Sequence, residues 1–193
     1  GESVRVYGLD DLSAYPRTTG AALALGQAVE DGADVVSISS VHGVMDSTPW
    51  IAAQTMAMRA GVPIVAGTTN PVATGTSMYA LPYSINGVVA VSGIDSEAKI
   101  IRGVDIFGSG PADASGSSNL AFVAPASQIL VPSGDDGWAP TLGNGTSLAT
   151  PLVAGTIALG LEKYPAATGF QVLQSMIRTT SGNGLADPVW NGP

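Results

Sequence analysis

Ser147 lies in the octapeptide NGTSLATP, residues 144–151, directly before an apolar stretch of helical length. If a helix begins there, the Ser147 hydroxyl lies beside unpaired backbone N–H groups and the positive end of the helix dipole. Both would stabilise negative charge on a carbonyl oxygen attacked by that serine, so the position suits a nucleophile. It also suits a helix N-cap, formed by Ser147 or by Thr146. Local physics alone favours the cap, because caps are common.

A serine nucleophile needs a general base at neutral pH, and the base needs a carboxylate that orients it. The chain contains one histidine, His42, in the segment SVHGVM. We interpret it as an exposed loop residue rather than as the base. The absence of cysteine from the sequence excludes disulfides, thiolate nucleophiles and cysteine-based zinc sites.

Short apolar segments alternate with longer helical ones, which is typical of a parallel sheet covered by helices on both faces. The predicted strands are residues 4–8, 35–39, 63–66, 88–94 and 121–125. The predicted helices are residues 20–31, 48–60, 147–163 and 168–178. Helix 147–163 carries apolar side chains on several sides, so we expect it to be buried nearly all round.

The length of the chain, 193 residues, fits one domain with a sizeable core. We predict a single domain over residues 1–193, because no repeat, low-complexity segment or linker divides the sequence. The formal net charge of −8 and the scattered basic residues argue against a nucleic-acid partner. No apolar run approaches the ~18 residues that a membrane-spanning helix needs.

Four segments of the chain, in order, resemble the subtilases, the family of subtilisin-like serine peptidases. They are ADVVSIS at 33–39, GVPIVAGTTN at 61–70, FVAP at 122–125 and NGTSLATPLVAG at 144–155. The last resembles the signature around the family's catalytic serine. The resemblance implies an α/β fold with three αβα layers and a mainly parallel sheet, truncated at both ends.

The resemblance also gives individual residues roles. Ser147 would attack the scissile carbonyl, and its own backbone N–H would donate to the oxyanion. The Asn70 side chain would be the second donor, although Asn70-Pro71 on its own is an ordinary turn signal. The two catalytic residues implied here are therefore Ser147 and Asn70.

Two further segments are implied to bind substrate. An extended peptide would pair with one strand edge, as in β-strand addition, and the other segment would line the opposite side of the primary specificity pocket. The edge is Ser39, Ser40 and Val41, and the opposite side is Gly67, Thr68 and Thr69. The family usually has glycine at the positions of Val41 and Thr69, so we expect a narrower or differently approached pocket.

The family's Asp-Ser/Thr-Gly and His-Gly-Thr-His motifs do not occur in this sequence. We expect the triad Asp and His upstream of Gly1, with truncation favoured over a split or degenerate enzyme. The predicted function is a serine endopeptidase domain that acts through an acyl-enzyme on Ser147 and is inactive in isolation. The alternative is a non-catalytic peptide-binding module. A nucleotide-binding domain is disfavoured, because Gly143-x-Gly145 and Gly108-x-Gly110 lack the third glycine.

The remaining expectations follow from the same resemblance. The chemistry requires no cofactor. A structural calcium ion, bound weakly by backbone carbonyls in the loop 82–88, would leave no side-chain signature in the sequence. The expected partners are an extended polypeptide substrate and an upstream segment of the same domain, and the family's habits imply secretion to the extracellular space.

Overall fold

A parallel sheet lies at the centre of the structure, which is a computed structural model that describes residues 3–7, 17–40, 42–43, 48–68, 80–82, 86–99, 120–132 and 140–180. Four strands form this sheet in the order β1-β3-β5-β6, and every neighbouring pair is parallel. They are β1 (Val36–Ile38), β3 (Ile64–Gly67), β5 (Val88–Ile94) and β6 (Leu120–Pro125). Four of the five predicted strands are thereby confirmed.

Helices cover both faces of the sheet. They are α1 (Arg17–Glu30), α2 (Thr48–Ala60), α3 (Thr146–Lys163) and α4 (Gly169–Thr179), close to the predicted bounds. Successive residues of β3 point to opposite faces: Ile64 packs in a core cluster with α1 and α2, and Val65 in a second cluster with α3 and α4. Because both faces are covered, β3 and nearly all of β5 are buried, as their continuous apolar sequences predict. The architecture is therefore a three-layer α/β fold.

The prediction of a strand at residues 4–8 is wrong over its described part. Residues 3–7 form no strand, and the side chains of Val4 and Val6 are 94% and 90% exposed. Alternating valines favour a strand, but a strand also needs a hydrogen-bonded neighbour, and none of the described strands pairs with this segment. The segment is attached to the end of α1 instead, through side chains.

Helix α3 is not buried all round, contrary to expectation. Its buried residues lie on the side that packs on the sheet, whereas Leu152 and Leu159 are 46% and 61% exposed. A helix on one face of a sheet buries the stripe that it presents to the sheet and to its neighbours. Apolar composition therefore overstates the burial of α3.

Two short antiparallel pairs were not predicted from the sequence. Strand β2 (His42–Gly43) pairs with β4 (Ala80–Leu81), and β7 (Ile129–Pro132) forms a hairpin with β8 (Pro140–Gly143). The hairpin pairs Pro132 with Pro140. Prolines in such positions suggest a loop, because they cannot donate to a strand ladder. This hairpin leads directly into α3.

Candidate active site

Ser147 is the second residue of α3, after the N-cap Gly145 and Thr146. Gly145 has φ 143°, a backbone conformation that favours glycine, and no side chain caps the helix. The capping interpretation of Ser147 and Thr146 is therefore wrong. Since the first four N–H groups of a helix have no partner within it, the N–H of Ser147 lies at a helix end suited to binding negative charge.

One threonine hydroxyl attaches the first turn of α3 to the end of β3, and a second bonds within that turn. The hydroxyl of Thr146 donates a hydrogen bond of 2.6 Å to the carbonyl oxygen of Thr68. The hydroxyl of Thr150 donates one of 2.8 Å to the carbonyl oxygen of Thr146. Thr68 is itself fixed to β5, because its N–H donates to the carbonyl of Val91 at 2.9 Å. All three threonines are buried, so the Thr146 bond joins helix and sheet in a dry environment, while the Thr150 bond stays within α3.

Gly67 provides the close approach between β3 and α3. A Cβ atom on Gly67 would lie 2.7 Å from Oγ1 of Thr150 and 3.4 Å from the carbonyl oxygen of Thr146. The first distance is shorter than real Cβ contacts allow. Only glycine fits there without a shift of the Thr150 side chain or of the helix. Gly67, a residue of the predicted substrate pocket, is therefore also required for packing.

Ser147 faces Ser39, which directly follows β1. The Ser147 hydroxyl donates to the carbonyl oxygen of Ser39 at 3.1 Å, and the Ser39 hydroxyl donates to the carbonyl oxygen of Ser147 at 2.9 Å. Ser147 is half-buried and Ser39 is exposed. The ends of β1 and β3 therefore meet at the start of α3, at the carboxyl edge of a parallel sheet, where α/β proteins bind ligands.

The structure thus brings together four of the predicted site residues: Ser147, Ser39, Gly67 and Thr68. Ser40 follows Ser39 and is exposed. Val41, Thr69 and Asn70 lie outside the described residues, so their roles stay predictions.

His42 lies in a strand rather than in the predicted loop, since its backbone pairs with Leu81. The hydrogen bond that the Ser147 hydroxyl donates ends on a backbone carbonyl, which cannot take up its proton. Asp31 has a lowered pKa, but it follows α1 and its partners are Tyr7, Gln27 and Arg5, not Ser147.

The described parts of the chain carry neither a cluster of metal ligands nor a membrane-spanning helix. No group of three or more His, Cys, Asp or Glu side chains there could hold a metal ion. Residues 83–85 of the expected calcium loop lie outside the description, so calcium stays a prediction. None of the described helices is both long and apolar enough to cross a membrane.

Sequence reasoning missed the parts played by Thr150 and Pro151. Their signal was present in the octapeptide: two threonines four residues apart lie on one side of a helix, and a proline six residues after the N-cap removes a helical hydrogen bond. Neither the approach of Thr150 to Gly67 nor the hydrogen bond from Ser39 to the Ser147 carbonyl followed from spacing, because each joins residues that are distant in sequence.

The sequence also matches a known protein family. The model of the peptidase S8 (subtilase) family matches residues 2–192. Subtilisin DY of Bacillus licheniformis is 28% identical over 185 residues, which are 94% of this chain and 63% of that protein. The chain therefore spans less than two thirds of the length of this curated relative.

Solved structures show the same fold. A cold adapted subtilisin-like serine proteinase has a TM-score of 0.69 at 22% identity, covering 91% of this chain and 59% of its own. The prenylagaramide maturation protease PagA has a TM-score of 0.66 at 22% identity, covering 85% and 58%. Sphericase has a TM-score of 0.63 at 21% identity, covering 83% and 55%. With the serine motif at the start of α3 and a family match over nearly every residue, the chain belongs to the subtilase family.

Proposed function

We propose that this chain is part of a serine endopeptidase domain that hydrolyses peptide bonds through an acyl-enzyme on Ser147. The observation that carries the proposal is the position of Ser147. Its hydroxyl does not cap α3 but faces the end of β1, at the edge where two strands of the sheet terminate. Membership of the subtilase family supplies the reaction class.

In the proposed reaction, a base takes the Ser147 proton as Oγ bonds to the scissile carbonyl carbon. The carbonyl oxygen becomes an oxyanion, which accepts hydrogen bonds from the Ser147 N–H and, as proposed, from the Asn70 side chain. The base then protonates the leaving amine as the C–N bond breaks. Water repeats the sequence on the acyl-enzyme, which releases the new carboxylate and restores the serine. We assign the base and its carboxylate to a His and an Asp upstream of Gly1.

The proposed substrate is an extended polypeptide that pairs with the chain after β1. Ser39 and Ser40 would present this edge together with Val41, and both serines are exposed. Gly67 and Thr68, with Thr69, would form the opposite wall. The contact of Ser39 with Ser147 supports this arrangement, because it sets the edge beside the nucleophile. Calcium in the loop 82–88 and secretion remain proposals from the family resemblance alone.

A non-catalytic peptide-binding module is the second candidate. The observation in its favour is the exposure of Ser39 and Ser40 at the end of β1, because an open strand edge can pair with a peptide without any base for Ser147. Such a module would keep the strand edge and the pocket but would not form an acyl-enzyme.

Labelling with a fluorophosphonate separates the two candidates, because the probe reacts with activated serines. We expect the full-length protein to be labelled on Ser147, the position being read by mass spectrometry. Ser147→Ala should abolish labelling, whereas Ser175→Ala, an exposed serine of α4, should leave it unchanged. Peptide binding by a protein that resists labelling would establish the binding module, and persistent labelling of Ser147→Ala would refute the nucleophile.

A further inference from the structure

Pro151 leaves one carbonyl of α3 without its helical partner. In a helix, the carbonyl of residue 147 accepts from the N–H of residue 151, but proline has no N–H. The proline ring also crowds that same carbonyl. The carbonyl belongs to Ser147, so the defect in the helix falls on the proposed nucleophile itself.

The hydroxyl of Ser39 occupies the place of the missing donor. Its Oγ lies 2.9 Å from the Ser147 carbonyl oxygen, within ordinary hydrogen-bond distance. The bond joins residues that are 108 positions apart in sequence, so it links the end of β1 to the first turn of α3. An unpaired carbonyl would otherwise depend on water at the edge of the proposed cleft.

We propose that Ser39 is a positioning residue for Ser147: its hydroxyl replaces the helical hydrogen bond that Pro151 removes, and thereby fixes the turn that carries the nucleophile. This inference rests on the proposed function, since positioning matters only if Ser147 reacts. It differs from the expected role of Ser39 in the substrate edge, which uses the backbone and needs no hydroxyl.

The two hydrogen bonds between Ser39 and Ser147 have different fates in the reaction. The bond from the Ser147 hydroxyl to the Ser39 carbonyl must break when the base takes the proton. The bond from the Ser39 hydroxyl involves a carbonyl that takes no part in the chemistry, so it persists. Its loss should therefore affect the rate of acylation rather than the binding of substrate.

Ser39→Ala in the full-length protein tests this role. We expect kcat and the rate of fluorophosphonate labelling to fall about fivefold, the effect of one lost hydrogen bond, with KM changed less than twofold. Ser37→Ala is the matched control, because Ser37 is an exposed serine two residues earlier in β1. It should leave all three quantities unchanged. A change confined to KM, or equal effects of the two variants, would overturn the proposal.

Pro151→Ala provides a sharper test, because it restores the N–H that donates to the Ser147 carbonyl. In the Pro151→Ala background, Ser39→Ala should lower kcat and the labelling rate less than twofold. An undiminished effect there would show that Ser39 does not stand in for the missing N–H.

Thermal unfolding separates this inference from the proposed function. The four proteins to compare are the wild type, Ser39→Ala, Pro151→Ala and the double variant. Ser39→Ala should lower the Tm of the wild-type background more than that of the Pro151→Ala background. If Ser147 is never labelled, the proposed function fails, and the positioning role fails with it. The difference between the two Tm effects then decides only whether the Ser39 hydrogen bond replaces the helical one. Equal Tm effects in the two backgrounds would refute that replacement, whatever the outcome of labelling.

Discussion

Small hydroxyl side chains fix the position of Ser147. Thr146 and Thr150 bring the first turn of α3 against the end of β3, and Ser39 holds the same turn from the end of β1. Each contact is short because the partner offers only backbone or no side chain at all. The proposed nucleophile is therefore placed by a few close contacts whose geometry tolerates little change.

Gly67→Ala should disturb this arrangement directly. The new methyl group would overlap Oγ1 of Thr150, which is held by its bond to the Thr146 carbonyl. We expect the free energy of unfolding to fall by about 1–3 kcal/mol, the usual effect of overpacking a buried site. Urea unfolding measures it.

Gly26→Ala is the matched control for that variant. A Cβ on Gly26, inside α1, meets nothing within 4 Å, so alanine there should raise stability by up to about 1 kcal/mol through helix propensity. Equal responses of the two glycines would show that the approach of β3 to α3 is not tight.

At the scale of elements, the continuous apolar strands and the long helices were predictable, because burial on both faces and helical length leave clear patterns. Helix α3 was predictable too, but the exposure of its Leu152 and Leu159 was not, since exposure depends on what packs alongside. The segment 3–7 shows the same limit. Its valine alternation predicts a strand, whereas Arg5 and Tyr7 attach it to the end of α1.

That attachment centres on Asp31 and gives a pH-dependent prediction. The hydrogen bond from Tyr7 (2.8 Å), with that from Gln27 and the nearby Arg5 guanidinium, holds the pKa of the Asp31 carboxyl below its usual value. A depressed pKa means that the contribution to stability is present above the unfolded pKa of ~3.9. It is lost as the pH falls through the lower, folded pKa. Segment 3–7 should therefore detach from α1 as the pH falls through that folded pKa.

Carboxyl NMR titration of Asp31 measures this effect. Tyr7→Phe should raise the pKa of Asp31 more than Arg5→Gln does, because the hydrogen bond from Tyr7 is the largest cause of the shift. The two variants affect neighbouring residues of the same segment, so each is the control for the other. The reverse order would mean that the ion pair, 3.4 Å long, dominates the attachment.

At the scale of the whole molecule, net negative charge and exposed apolar side chains have opposite effects on the association of copies. The formal net charge is −8 at pH 7, whereas Val4, Val6 and Leu159 are largely exposed, as are the cross-strand partners Leu130 and Leu142 of the β7–β8 hairpin. The net charge follows directly from the sequence. The outward pairing of two leucines was not, because it depends on the register of a hairpin that the sequence did not reveal.

The balance between charge and apolar surface should govern association of this chain. Near its isoelectric point of about 4.2 the mutual repulsion vanishes, so we expect copies to associate there and to stay apart at pH 7 and low salt. Light scattering follows the association, and circular dichroism verifies that the chain stays folded.

The double variant Leu130→Thr with Leu142→Thr should weaken the association without altering charge. Thr156→Ser, at an exposed polar site of α3, should not weaken it. Association of equal strength at both pH values would show that charge repulsion does not keep the copies apart. If the leucine changes leave the association unaltered, the β7–β8 hairpin is not the surface through which the copies meet.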